Sequence, residues 1–316
     1  MKTLILGASG LAGTAVVRLM TQLGREFLKP TSSELNLLDF SSVKAFFDAH
    51  KIGTVYFFAA KVGGAPVQSI KPLEFLIDNL KMEINVLETA LEKKIPRLIF
   101  LSSSTIYPEF ALQPLKEEYI LTGKPSASVQ PYALAKLTGM EIVRIAAEVY
   151  GLSWVSAISS NLYGTGDNFR VRESHVIASI IRKMWEARMT GLKQLEVLGD
   201  PNHGRDFLFS DDLASALYFL EEHYFESTPI NIGPGTMTSI GDLVRLLSEL
   251  MDYPGEIHWN TTQVSATAQK VLDNSKIREL GFSNFVELRL GLSQVLRWLE
   301  KESQSSFKNI RWESFI

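Results

Sequence analysis

The chain has 316 residues, with 32 Lys and Arg against 35 Asp and Glu, so its formal net charge is -3, and it contains no cysteine. This length is typical of roughly two domains with a sizeable core. The near balance of charge argues against nucleic-acid and membrane partners, and the lack of cysteine excludes disulfides and thiolate metal sites. We expect a folded, cytoplasmic protein.

Short apolar runs alternate with segments of helical periodicity in the first half of the chain. This alternation predicts parallel strands joined by crossover helices, and therefore an α/β protein with a doubly wound parallel Rossmann sheet. No apolar stretch reaches the roughly 18 residues that a membrane helix needs. The predicted strands cover residues 3–6, 26–28, 54–58, 97–101 and 154–158.

The crossover segments predict one helix after Leu11, a second capped near Asp39, and two long helices over 72–93 and 132–150. The long helices carry apolar stripes broader than one sheet contact requires. Those stripes are either buried within the chain or form a homodimer interface. After residue 161, loops rich in Gly, Asp, Asn and Pro alternate with helices from about residues 174 and 211, which indicates a smaller, interleaved C-terminal α/β lobe.

Three glycines, Gly7, Gly10 and Gly13, lie between the first strand and its helix. Without Cβ atoms the backbone can turn tightly and approach a pyrophosphate at the helix N-terminus, although such a trio can also serve packing alone. No lysine and serine follow as in a P-loop. The stretch from Lys29 to Ser33 has no acidic residue, which favours NADP(H) over NAD.

Tyr132 and Lys136 lie four residues apart, on one face at the start of a predicted helix. We expect the ammonium to favour the phenolate and to bring proton exchange with a carbonyl into range. Such a pair is common on helical surfaces. Ser103 changes this interpretation, because it follows the fourth strand, where parallel sheets place their ligands, and its hydroxyl can bind the reacting oxygen.

These motifs resemble the extended short-chain dehydrogenase/reductases and, among them, the GDP-L-fucose synthase family. The resemblance covers about residues 1–300. The family reduces a GDP-linked 4-keto sugar at C4 with NADPH, after the same site has epimerised C3 and C5. The matching stretches are residues 34–39, 59–64, 103–108, 131–136, 161–164, 166–169 and 174–177.

The resemblance implies that Ser103, Tyr132 and Lys136 form the reductase triad. It divides the chain into a dinucleotide-binding Rossmann domain (1–161 and 206–230) and a nucleotide-sugar lobe (162–205 and 231–316). It implies NADP(H) contacts by Gly7, Ser9, Gly10, Leu11, Gly13, Asp39, Ala59, Ala60 and Lys136. It implies substrate contacts by Ser104, Asn161, His175, Lys183, Arg205 and Lys270, with Arg182 a further cation near the diphosphate.

Thr105 departs from the family, which has a cysteine here that works with the residue matching His175 as the acid-base pair for epimerisation. An aliphatic alcohol is a far weaker acid than a thiol of pKa about 8.5. We therefore expect C4 reduction with epimerase activity reduced or absent, and His175 then either inverts one carbon or only binds the sugar. A second departure is Ser32, where the family commonly has an arginine.

Three alternatives stay open at this stage: a full GDP-L-fucose synthase, a nucleotide-sugar 4-epimerase, and a non-enzymatic NADP-sensing regulator. The intact triad argues against the regulator, because a sensor needs no proton donor. The remaining histidines lack metal-ligand spacing, so no metal site is predicted; they are His50, His203, His223 and His258.

Overall fold

The computed structural model describes residues 1–171, 173–262, 267–305, 307 and 311–312, with the side chains of 65 and 66 outside that description. The strands are β1 (Lys2–Leu6), β2 (Phe27–Leu28), β3 (Ile52–Phe57), β4 (Arg97–Ser103), β5 (Ser153–Ser159), β6 (Asn161–Tyr163), β7 (Asn168–Phe169), β8 (Gln194–Leu198), β9 (Gly204–Phe209), β10 (Ile230–Ile232), β11 (Met237–Ser239), β12 (Glu256–Asn260), β13 (Gln269–Lys270) and β14 (Arg311–Trp312).

The α-helices, in chain order, are α1 (Leu11–Gln22), α2 (Phe40–Ala49), α3 (Ala65–Ile70), α4 (Pro72–Glu92), α5 (Gln130–Tyr150), α6 (Val176–Thr190), α7 (Ser210–His223), α8 (Ile240–Leu250), α9 (Ser275–Glu279) and α10 (Leu288–Ser303). Two short 3-10 helices cover Ser104–Ile106 and Glu117–Tyr119. No helix within the described ranges has both the length and the apolar character to cross a membrane.

The central sheet has six parallel strands in the order β10-β5-β4-β3-β1-β2. Side chains of α2, α4 and α5 share one core with one face of this sheet, and those of α1 and α7 share another core with the opposite face. The doubly wound α/β prediction is confirmed. The predicted strands and the two long helices agree with the structure to within two residues at each end.

A third core lies among α6, α8 and α10, together with the short strands around β9. In that lobe β9 pairs with β6, β11 and β13, while β8 pairs with β12. The chain then returns to the central sheet as β10, so the lobe is interleaved as expected. The division of the chain at residues 161, 205 and 230 stays a prediction.

Near the end of the chain, Phe307, Arg311 and Trp312 pack on the lobe. β14 pairs with β7, and Arg311 donates a hydrogen bond to the carbonyl of Gly166 at 2.7 Å. The ring of Trp312 stacks on Phe307, with centroids 4.4 Å apart, and on Phe169 at 5.7 Å. The loop that contains Gly166 is therefore fixed in place by β14.

Because the central strands are parallel, their carboxyl ends meet at one edge of the sheet. Gly7 follows β1, Ala59 lies just past β3, Ser103 ends β4 and Ser160 follows β5. The motifs singled out in the sequence therefore converge on this edge.

Candidate active site

The glycine turn joins β1, β3 and α1 by backbone contacts. A Cβ on Gly7, whose φ is +83°, would lie 2.6 Å from the amide nitrogen of Ala59, and one on Gly13 would lie 2.2 Å from the carbonyl oxygen of Gly7. Packing inside the protein therefore requires both glycines. A Cβ on Gly10 would meet only the Gly7 carbonyl oxygen, at 3.3 Å. Packing inside the protein therefore does not require glycine at this position, whereas the close approach of a bound ligand would.

Gly10 is also the N-cap of α1, and it has no side chain to bind the amides of the first turn. Those amides are free to bind an anion, as a dinucleotide pyrophosphate requires. Leu11 begins the helix, and Ser9 lies exposed in the turn before it. The predicted cofactor residues Gly7, Gly10, Gly13 and Ala59 are thus brought together.

The acidic side chains that follow β2 form hydrogen bonds with residues close to them in the chain. The Glu34 carboxylate accepts hydrogen bonds from the amide and hydroxyl of Thr31 at 2.7 and 2.8 Å. Asp39 is the N-cap of α2, and its Oδ1 accepts from the amide of Ser41 at 3.0 Å. The helix cap was expected from the sequence, whereas a cofactor contact by Asp39 stays a prediction.

The proposed triad is assembled from β4 and α5. Tyr132 and Lys136 lie in the first turns of α5 with side chains that are almost fully buried, and α5 packs against the 3-10 helix that follows Ser103. Ser103 caps that 3-10 helix, since its Oγ accepts from the amide of Thr105 at 3.3 Å. The tyrosine, the lysine and the strand-end serine therefore lie in one region, although their catalytic roles stay a prediction.

Lys136 forms a buried ion pair with Glu83 of α4. The Nζ to Oε1 distance is 3.1 Å, and each side chain is 1% exposed. Nζ also lies 4.3 Å from the ring centroid of Phe100 and 5.9 Å from that of Phe57. Within the described part of the chain, no further hydrogen-bond partner is found for Nζ. An ammonium has three donors, so two remain for a ligand such as a ribose diol.

The expectation that Lys136 lowers the pKa of Tyr132 is wrong. Burial raises the pKa of the Tyr132 phenol above its ordinary value, and the negative charge of Glu83 raises it further. Burial is the larger of the two effects, because water no longer stabilises the phenolate. Tyr132 is thus held as a neutral phenol, which is the form that donates a proton.

A small cleft beside the triad joins the end of β4 to the lobe. It is lined by Thr105, Glu109, Gln113, Ser126 and Lys270, among others. Thr105 Oγ1 is buried and has no hydrogen-bond partner within the described ranges, so its hydroxyl is available to a bound molecule. Glu109 accepts a hydrogen bond from the Ser126 hydroxyl at 2.9 Å.

Two of the predicted phosphate-binding cations are adjacent. Lys270 on β13 pairs in register with Arg205 on β9. Burial lowers the pKa of the Lys270 ammonium to about 8, and the charge of Arg205 acts in the same direction. The Arg205 guanidinium donates to the carbonyls of Gly204, Thr267 and Ala268 at 2.7 to 3.2 Å. An anion between the two cations would stabilise both charges.

The cations of α6 have protein partners. Lys183 Nζ donates to the carbonyl of Glu196 on β8 at 2.8 Å, and buried Arg182 pairs with Glu186 at 2.9 Å. Lys183 is bound to β8, whereas Arg205 and Lys270 are neighbours on β9 and β13. A contact of Lys183 with substrate stays a prediction.

His175 is the exposed N-cap of α6, close to the buried side chain of Asp167. Burial raises the pKa of Asp167, while the charges of His175 and Arg311 oppose that effect. Of the other predicted substrate residues, Ser104 is buried in its 3-10 helix and Asn161 begins β6 beside β9. The described residues contain no group of three or more His, Asp or Glu arranged to hold a metal ion.

Sequence reasoning missed Glu83, Asp167 and Glu109. Asp167 lies in the 166–169 stretch that carried the resemblance. An acidic residue in a glycine-containing loop shortly before His175 could have indicated that the two side chains interact. Glu83 looked like one more polar residue on a long helix. Its burial at 1% exposure depends on how α4 packs against α5, which no local pattern reveals.

Comparison with known proteins decides the family. Residues 3–233 match the NAD dependent epimerase/dehydratase family. The chain belongs to that family. A rice relative (Oryza sativa subsp. japonica) described as a probable GDP-L-fucose synthase 1 is 36% identical over 94% of this chain and 91% of its own length. The resemblance to GDP-L-fucose synthases is therefore confirmed.

Two solved structures of related proteins share the fold of this epimerase/dehydratase family member. A GDP-6-OMe-4-keto-L-xylo-heptose reductase from C. jejuni is 27% identical with a TM-score of 0.89, covering 95% of this chain and 98% of its own. A GDP-mannoheptose C4 reductase from Campylobacter jejuni, with NADP bound, is also 27% identical with a TM-score of 0.85 and the same coverage.

Proposed function

We propose that this protein reduces the C4 ketone of a GDP-linked 4-keto sugar with NADPH and has little or no epimerase activity at C3 and C5. Family membership and the names of the relatives support the substrate class. The observation that carries the absence of epimerisation is the position of Thr105, which lines the cleft beside Lys270 and whose buried hydroxyl has no hydrogen-bond partner among the described residues.

The residues present fit NADP(H). The free first-turn amides of α1 would hold the pyrophosphate, and the two unused donors of Lys136 would hold the nicotinamide ribose. When bound, NADPH supplies the hydride. Glu34 is hydrogen-bonded to Thr31 within its own turn, and the hydroxyls of Ser32 and Ser33 in that turn can bind a ribose phosphate.

The proton comes from Tyr132. Reduction adds a hydride to C4 and a proton to its oxygen, which converts the ketone to a secondary alcohol. A neutral buried phenol is suited to donate that proton, and Ser103 at the strand end would hydrogen-bond the same oxygen. Arg205 and Lys270 would bind the diphosphate of the sugar nucleotide.

Epimerisation requires a different proton transfer. A group beside the sugar must remove a proton from carbon next to the ketone and return one to the opposite face. The Thr105 hydroxyl is too weak an acid to exchange that proton near neutrality, whereas a thiol of pKa about 8.5 is suitable. Hydride transfer to C4 needs neither the removal nor the return of a carbon-bound proton. Reduction is therefore retained when threonine stands in place of cysteine.

The test is incubation of the 4-keto sugar nucleotide in deuterated water without NADPH, followed by mass spectrometry and NMR. We expect little deuterium at C3 or C5 with the wild-type protein, gain of exchange in T105C, and none in the matched alcohol control T105S. NADPH oxidation on the same substrate should be retained in all three and fall by roughly 100-fold or more in Y132F. Rapid wild-type exchange at both carbons would overturn the loss of epimerase activity.

The second candidate is a full GDP-L-fucose synthase. It is favoured by the name of the rice relative and by His175, which is retained beside the buried carboxyl of Asp167. Exchange at both carbons followed by NADPH consumption would support this alternative. Exchange or interconversion without net NADPH consumption would indicate a 4-epimerase, and binding of NADPH without turnover would indicate a regulator.

We also propose that the protein is a homodimer through α4 and α5. Both helices leave large apolar side chains exposed at helical spacing, which a second copy would cover. They are Leu73, Ile77 and Ile84 on α4 and Leu134, Ile145 and Val149 on α5.

A further inference from the structure

We propose that Glu83 is a positioning residue for proton donation. Its carboxylate fixes the Lys136 ammonium, keeps it protonated, and so sets the pH range over which Tyr132 donates its proton. This inference rests on the proposed function and deepens it.

The pair is mutually dependent. Lys136 Nζ and Glu83 Oε1 are 3.1 Å apart in a place where both side chains are 1% exposed. Apart from this ion pair, neither carboxylate oxygen has a hydrogen-bond partner within the described part of the chain. Removing one charge from a buried pair leaves the other uncompensated in a medium of low dielectric constant. Burial raises the pKa of Glu83, and the charge of Lys136 opposes that effect, so the charged form of the carboxylate depends on the ammonium.

A glycine in α5 leaves space for the carboxylate of Glu83. A Cβ on Gly139 of α5 would lie 2.8 Å from Glu83 Oε2 and 2.6 Å from Cζ of Phe100. Alanine would displace one of these groups, so the absence of a side chain at 139 gives Glu83 the room to reach Lys136. Phe57 from β3 and Phe100 from β4 face Nζ and do not titrate. The other titratable group that Glu83 influences is Tyr132.

This arrangement links Glu83 to the chemistry in two ways. Without its negative charge, the buried Lys136 ammonium loses the partner that stabilises it, so its charged form becomes less stable. The pKa of Tyr132 falls, because the Glu83 charge contributes to raising it. Reduction needs the protonated phenol and the ammonium, so both changes end activity at a lower pH.

The experiment compares the pH dependence of kcat/KM for ketone reduction in wild type, E83Q and E83D. We expect the alkaline limb of E83Q to move down by about one pH unit or more, with roughly tenfold less activity above the wild-type limb. E83D, which keeps the charge, should retain the limb with a lower kcat. The exposed residue Glu88 on the same helix provides the matched control E88Q, in which the limb stays in place.

A merely structural role would lower activity by one factor at every pH. An unmoved limb in folded E83Q overturns the proposal. If E83Q does not fold, E83A replaces it: an alkaline limb below that of wild type supports the proposal, and an unmoved limb overturns it.

NMR of lysines labelled at Cε, with the Lys136 signal assigned by its loss in K136M, gives a readout that needs no substrate. We expect the Lys136 signal to move toward the chemical shift of a neutral amine in E83Q or, where only that variant folds, in E83A. A wild-type protein that reduces no GDP-linked 4-keto sugar would refute the proposed function, whereas an unchanged Lys136 signal in E83Q would refute the role of Glu83.

Discussion

The glycine turn offers a contrast between two substitutions three residues apart. In G13A the added Cβ would lie 2.2 Å from the Gly7 carbonyl oxygen and 2.7 Å from Cα of Ala8, both of them backbone atoms that cannot rotate away. The helix must move by roughly 1 Å to relieve this overlap. Overpacking against fixed backbone costs about 3 kcal/mol, the upper end of the usual range, and the better helix propensity of alanine returns about 1 kcal/mol, so the net loss is about 2 kcal/mol.

We expect G13A to melt several degrees below wild type, since each kcal/mol shifts Tm by roughly 2–4 °C in a chain of moderate size. NADPH affinity should also fall by about tenfold or more, because the turn that presents the amides is displaced. In G10A the Cβ meets only the Gly7 oxygen, at 3.3 Å, and the backbone angles of Gly10 are open to alanine. That variant should keep its Tm and still lose NADPH affinity.

Thermal unfolding by calorimetry and NADPH binding by fluorescence titration measure the two effects separately. A wild-type Tm for G13A would refute the packing argument. Wild-type affinity in a folded G10A would show that the pyrophosphate does not approach this residue closely.

Two further predictions concern stability and assembly. Burial raises the pKa of Asp206 to about 7 from an ordinary 3.8, so the stability linked to its protonation is complete below pH about 4 and is lost as the pH rises through 7. The full loss of stability is roughly 4 kcal/mol. Calorimetry should find that the free energy of unfolding depends less on pH in D206N than in wild type; an equal dependence in the two proteins would contradict this. For the homodimer, we expect I77E or V149E to shift sedimentation from dimer to monomer while the exposed control M189E does not; a wild-type monomer at micromolar concentration contradicts the interface.

Much of the fold was accessible from the sequence because its signals are local. Alternating apolar runs predicted β1 to β5, and helical periodicity predicted α4 and α5 to within two residues. The aspartate cap of α2 was likewise local, since Asp39 binds the amide of Ser41 two positions on. The place of β14 beside β7 was inaccessible, because it joins segments more than 140 residues apart.

The site was predicted only in part. The spacing of Tyr132 and Lys136 and the position of Ser103 after β4 identified residues that do lie together. The direction of the tyrosine pKa was predicted wrongly, because neither the burial of the phenol nor the nearby charge of Glu83 is visible in the spacing of Tyr132 and Lys136. Glu83 comes from another helix, and its effect depends on burial that no spacing rule reports.

The sequence by itself determined the chemistry available to this protein: the order of strands and helices, the glycine turn, the Tyr132 and Lys136 pair, and a threonine where the resembling family has a cysteine. Tertiary structure alone decided the charge state of that chemistry. Packing of α4 on α5 removes Glu83 and Lys136 from water together, and charges deprived of solvent are governed by their nearest partners. Burial of Tyr132 beside this pair, together with the Glu83 charge, raises the pKa of its phenol above the ordinary value.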